Sequence, residues 1–149
     1  MAFSFEASES PNQLDSGTVS LALSPDASVF ILANMSPGSS ITGQINVANT
    51  GTLDEYYQIT ANWAPAGSTG NSAATRLANE LSASVTVGTT PLYVGSFAGL
   101  IDEPASPGRL LTLVTGNEDV SFTFALPSDA GTVYQGIDLG FALDFVASS

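Results

Sequence analysis

A chain of 149 residues with 44% hydrophobic and 11% charged residues is long enough to bury one core and too apolar to stay disordered. Its 14 acidic residues face only Arg76 and Arg109, for a net charge of -12, which excludes nucleic acid and anionic lipid headgroups as partners, since both reward Lys and Arg. The absence of His, Cys and Lys removes Ser-His-Asp and Cys-His triads, zincin His pairs, thiolate chemistry, Schiff bases and the P-loop lysine, so the chain reads as a non-enzyme with no cofactor.

The first residues alternate: Phe3, Phe5 and Ala7 against Ser4, Glu6 and Ser8, with Pro11 ending any strand. Such a short terminal strand can pair within its own subunit or reach into a neighbour. No stretch approaches the ~20 apolar residues that span a bilayer as a helix. The opening Met1 to Glu6 also lacks the basic and apolar regions of a signal peptide, so the sequence is expected to be either cytosolic or a mature form whose leader has been removed.

Period-two alternation, the mark of half-buried strands, then recurs along the chain. It appears at Val19-Leu21-Leu23, Val29 to Leu32, Ile41-Gly43-Ile45-Val47 and Tyr57-Ile59-Ala61-Trp63. After the Gly/Ser-rich loop 66–70 the period changes, and Ser72 to Ser82 is expected to be one short helix. Asn71 or Ser72 would cap it, and Ala73, Leu77, Ala78 and Leu81 would form its apolar stripe. Strands are expected again at Ala83-Val85-Val87, Pro91 to Val94, Leu110 to Val114 and Val120-Phe122-Phe124-Leu126. In the last, Ile137, Leu139, Phe141, Leu143 and Phe145 share a face opposite Asp138, Gly140, Ala142 and Asp144. Turn signals such as Ser36-Pro37-Gly38 and Asn49-Thr50-Gly51 separate the runs. Many short strands at this spacing predict an all-β sandwich in a single domain.

The acids fall singly or in pairs (Asp54-Glu55, Asp102-Glu103, Glu118-Asp119) and read as solvated turns. On a strand, Asp102 and Glu103 would point to opposite faces and could not share acid/base work. Asn117-Glu118-Asp119 supplies hard oxygens that suit calcium, but its spacing matches no EF-hand loop and no metal site is assigned. Asn34-Met35-Ser36 is a formal glycosylation sequon.

Three stretches resemble the TasA/camelysin family of secreted biofilm-matrix fibre proteins, whose archaeal relatives form bundling pili. The first is Leu32 to Ser40 followed by Val47-Ala48-Asn49-Thr50-Gly51-Thr52-Leu53-Asp54, similar to a "PG-S" turn, a strand and an "NTGTLD" turn. The second is Arg76-Leu77-Ala78-Asn79-Glu80-Leu81 with Leu92-Tyr93-Val94-Gly95, similar to the family's short helix and hairpin. The third is Val133-Tyr134-Gln135-Gly136 before the last strand, and Asp15 to Val19 stands where the family has "AGTL". The resemblance runs from about Phe3 to Ala147. The start differs, Ala2-Phe3-Ser4-Phe5-Glu6 standing for the usual "AFFSD", and the missing lysine fits a distant or archaeal branch.

The resemblance implies a jelly-roll sandwich, export by a cleaved leader to an extracellular location, and head-to-tail homopolymers built by donor-strand exchange. Residues 1–10 would be the donor segment and 11–149 the jelly-roll domain. Ala2, Phe3, Ser4, Phe5, Glu6, Ala7 and Ser8 would form the subunit interface, and minor fibre-associated proteins would be further partners. The family also carries a metallopeptidase label, for which a chain without His offers no chemistry. A monomeric, secreted carbohydrate- or surface-binding jelly roll is the alternative, with Tyr56, Tyr93 and Tyr134 as candidate stacking platforms.

Overall fold

Alternation of apolar and polar residues is realised as strands that bury every second side chain. The computed structural model describes residues 4–7, 17–24, 30–32 and 35–149, with 4–7, 30 and 31 as backbone only. The strands are β1 (Ser4–Ala7), β2 (Leu21–Ser24), β3 (Phe30–Leu32), β4 (Ser40–Asn49), β5 (Glu55–Pro65), β6 (Ser82–Val87), β7 (Thr90–Ser96), β8 (Arg109–Leu111), β9 (Asn117–Ala125) and β10 (Leu139–Ser148). A helix, α1 (Asn71–Glu80), and a short 3-10 turn (Thr132–Tyr134) complete the described elements.

One sheet runs β1-β10-β5-β8, with β3 also on β10, and the other runs β2-β4-β9-β6-β7. Every pairing is antiparallel except β1 on β10. The chain changes sheet at each step from β3 to β10 except the β6–β7 hairpin. Four strands in the order β3-β10-β5-β8 therefore face four in the order β4-β9-β6-β7, the double-sheet jelly roll expected from the sequence.

The core lies between the sheets. From β10 it takes Leu139, Phe141, Leu143, Phe145 and Ala147, from β9 Val120, Phe122 and Phe124, and from β5 Tyr57, Ile59 and Ala61. Phe97, Phe124 and Phe141 meet at its centre. Their centroids lie 4.9, 5.5 and 5.3 Å apart and each pair is edge-to-face, the arrangement the ring quadrupoles favour. Gly43 stands opposite Phe122 in the β4–β9 ladder, and a Cβ there would lie 2.7 Å from the end of the Phe122 ring. The ring uses the space that glycine leaves.

Five local expectations are corrected. Helix α1 starts at Asn71 behind Gly70, with no side-chain cap, so neither Asn71 nor Ser72 caps it. It ends at Glu80 rather than 82, because the Leu81 backbone turns extended and Ser82 already belongs to β6. Its buried stripe is Ala74, Leu77 and Ala78, continued by Leu81, with Ala73 only partly covered. Strand β8 stops at Leu111 instead of reaching Val114. Asp54 Oδ1 accepts the Leu113 N–H at 2.8 Å, and Thr112 accepts those of Thr115 and Gly116, so the backbone bends and leaves Val114 98% exposed. Finally, Ala142 is buried although it alternates with the core residues of β10.

Candidate functional site

The edge of β10 carries the feature on which assembly would turn. Its other side is fully occupied by β5, which pairs along all ten residues from Leu139 to Ser148. On the free side two short segments share the strand end to end. β3 runs antiparallel along Leu139, Gly140 and Phe141, while β1 runs parallel along Asp144 to Ala147, with Ser4 level with Asp144 and Phe5 with Phe145. Ala142 and Leu143 fall between the two segments. Parallel pairing is slightly less stable per residue than antiparallel, and four residues give only a short ladder, so β1 is a weakly held closure of a well-formed edge.

Of the residues expected in the donor strand, Ser4, Phe5, Glu6 and Ala7 form β1, and they pair with β10 of their own chain. Ala2, Phe3 and Ser8 lie outside the described residues, as does Asn34 of the sequon.

Segment 17–20, on the way from β1 into β2, is held against the turn between β4 and β5. Thr18 N–H donates to Thr52 Oγ1 at 2.8 Å, Thr52 N–H donates back to Thr18 O at 3.0 Å, and Thr50 N–H donates to Ser20 O at 3.0 Å. Ser20 N–H donates to Glu55 Oε2 at 3.1 Å. Gly51 allows the close approach: a Cβ there would collide with Thr18 O and lie 3.2 Å from Glu55 Oε2. Glu55 is 0% exposed, and among the described residues no donor reaches its Oε1. Burial pushes its carboxyl pKa up, and the Ser20 N–H opposes that shift.

A second acid, on strand β9, is largely covered as well. Glu118, with a side chain 8% exposed, takes a two-point fork from Arg109, Nε to Oε2 at 3.1 Å and Nη2 to Oε1 at 3.0 Å. Glu118 Oε2 also accepts the phenol of Tyr57 at 2.6 Å. Desolvation first, and the carboxylate acceptor second, push the Tyr57 pKa far upward, while the same carboxylate raises Arg109. The cluster ties β5, β8 and β9 together across the two sheets.

These two acids overturn the reading of Asp54-Glu55 and Glu118-Asp119 as wholly solvated turns. Asn117, Glu118 and Asp119 do not converge on one cation either. They open strand β9, so the flanking pair turns away from Glu118 and both flanking side chains accept the Asn46 amide, at 3.0 and 2.9 Å. Among the described residues no group of three or more acids, His or Cys comes together. Asp102 and Glu103 lie in a loop rather than a strand. Glu103 exchanges backbone bonds with Ile59, and Asp102 with φ of 51° accepts the Thr60 hydroxyl.

The tyrosines are half-buried rather than open platforms. Tyr93 donates to Ser96 O at 2.7 Å and Tyr134 approaches Glu80 at 3.5 Å. Among the described residues no helix is long and apolar enough to cross a membrane. Compared with family models and with curated proteins, the chain matches none.

Proposed function

We propose that this chain is a structural subunit of an extracellular filament, a pilus or biofilm-matrix fibre, and that residues 2–8 of one copy complete the β10 edge of the next. The reading rests on one observation: a single four-residue parallel strand, β1, closes part of the β10 edge and is joined to the jelly roll through a separate segment. A second copy can supply the same strand in the same register, so exchange costs little in contacts. The isolated chain is then the self-complemented form. Because donation is head-to-tail, it propagates as an open filament when the rotation does not close. The resemblance to the TasA/camelysin fibre proteins supports the same reading, including export to the cell exterior and a structural rather than catalytic role.

The test is negative-stain microscopy of the full chain and of a variant lacking residues 1–9, with circular dichroism to verify folding. Filaments from the full chain and folded monomers from the deletion are expected. A free peptide of residues 2–10 should raise the melting temperature of the deletion variant by mass action. A full chain that stays monomeric at every concentration sinks the structural-subunit reading. Ordinary filaments from the deletion variant sink the donor-strand mechanism alone.

A further inference from the structure

Strand β5 places its first side chain, Glu55, inside the fold, in phase with Tyr57, Ile59 and Ala61 of the core. Among the described residues, segment 17–20 lies against it and the Ser20 N–H supplies its one hydrogen bond, with the Gly51 turn pressed against Thr18 and Ser20. A carboxylate sealed with one oxygen unmatched is strongly disfavoured, whereas a protonated carboxyl in the same place is tolerated. Water can reach Oε1 most simply by lifting 17–20 away.

We propose that Glu55 is a proton-operated latch on segment 17–20, the strip through which the N-terminal strand joins the jelly roll. Protonated, Glu55 keeps the strip seated; ionised, it drives the strip off to gain solvent.

Few other ionisable groups surround this site among the described residues. Segment 17–20 and strand β4 carry none. On the adjoining turn, Asp54 accepts the Leu113 N–H at the exposed surface. On β8 and β9, Arg109 and Glu118 are committed to each other and to Tyr57, and Asp119 accepts from Asn46. On β10, Asp144 stands level with Thr60, five residues along β5. Among the described residues no cation pairs with Glu55.

The direction follows from the raised pKa of the folded state. Below the ordinary glutamate value of about 4.3 the carboxyl is neutral in both states and costs nothing. As pH climbs from there through the higher folded value, the unfolded or opened form loses its proton first, and the seated strip is progressively disfavoured.

The test is amide hydrogen exchange of 17–20 in the full chain between about pH 4 and about pH 8, a window spanning the ordinary glutamate pKa, corrected for the intrinsic pH dependence of exchange. Wild type should lose protection severalfold across the window. Glu55→Gln should show a flat profile, and Asp129→Asn, which removes the same charge from an exposed turn, should follow wild type. Should Glu55→Gln not fold, the titration of the Glu55 carboxyl by NMR in wild type must track the loss of protection. A pH-independent strip in wild type overturns the proposal, as does a Glu55→Gln profile equal to it. Protection of wild type by added calcium or sodium that is absent in Glu55→Gln also overturns it, by making Oε1 a cation ligand. None of these readouts requires assembly, so failure of the filament reading leaves the latch to be judged separately.

Discussion

Phe141 stands where both sheets and the segment after β7 meet, and its truncation can be given a magnitude. The ring is fully buried and touches Phe97 and Phe124 edge-on, at 5.5 and 5.3 Å. Phe141→Ala removes the ring from a packed interior and leaves a cavity, a change of about 3–5 kcal/mol. Two edge-to-face pairs at about 0.5–1.5 kcal/mol each are lost with it, which argues for the upper part of that range, about 4–5 kcal/mol. Phe141→Leu keeps most of the volume and forfeits mainly the pairs, so about 1–3 kcal/mol is expected. For a domain near 150 residues, about 2–4 °C per kcal/mol puts the alanine variant about 8–20 °C below wild type. Urea melts of the monomeric chain give both values, with the slope unchanged if only stability has moved. Asp129→Asn, in an exposed turn, should stay within about 0.5 kcal/mol. Equal losses for alanine and leucine, or a loss below about 2 kcal/mol for alanine, would refute the three-ring joint as the centre of the core.

Arg109→Met should destabilise by about 1–3 kcal/mol, because it leaves the nearly buried Glu118 without its fork. The partial exposure of Arg109 keeps the loss below that of a fully buried pair. Adding Glu118→Gln should restore part of it, since no unpaired charge then remains, and denaturant melts of the four-member cycle measure the coupling. In wild type, the raised Tyr57 pKa means that stability falls as pH rises past about 10, where the unfolded phenol ionises; Tyr57→Phe should flatten that fall in thermal scans. Gly43→Ala should lower the melting temperature, because its Cβ meets the Phe122 ring at 2.7 Å, and less so beside Phe122→Leu. If adding Gly43→Ala to Phe122→Leu costs as much as or more than adding it to wild type, the ring does not occupy the space at Gly43.

The sandwich was legible because one face of each long strand is buried, and burial imposes a period of two that chemistry cannot hide. Leu139 to Phe145 and Val120 to Phe124 show it plainly. Where side chains take the backbone groups that a ladder would use, the pattern misleads. Leu110 to Val114 has the composition of a strand, yet Asp54 claims the Leu113 N–H and Thr112 closes a turn. Paired alanines hid the phase of α1, since Ala73 and Ala74 offer the same side chain to either face, and the fold buries Ala74 while leaving Ala73 partly covered.

The buried acids were missed for a different reason: each sits beside a second acid, and a pair of adjacent acids looks like a turn. The signal was nonetheless present in the phase. Glu55 continues the inward series Tyr57-Ile59-Ala61 by one step, and Glu118 continues Val120-Phe122-Phe124 in the same way. An acid in phase with a core face must find a countercharge, a proton, or water. With two arginines for 14 acids, the chain can pair few of them. Arg76 is spent on the exposed face of α1 and Arg109 on Glu118, so the scarcity of cations, as much as local packing, leaves a proton as the simplest partner for Glu55.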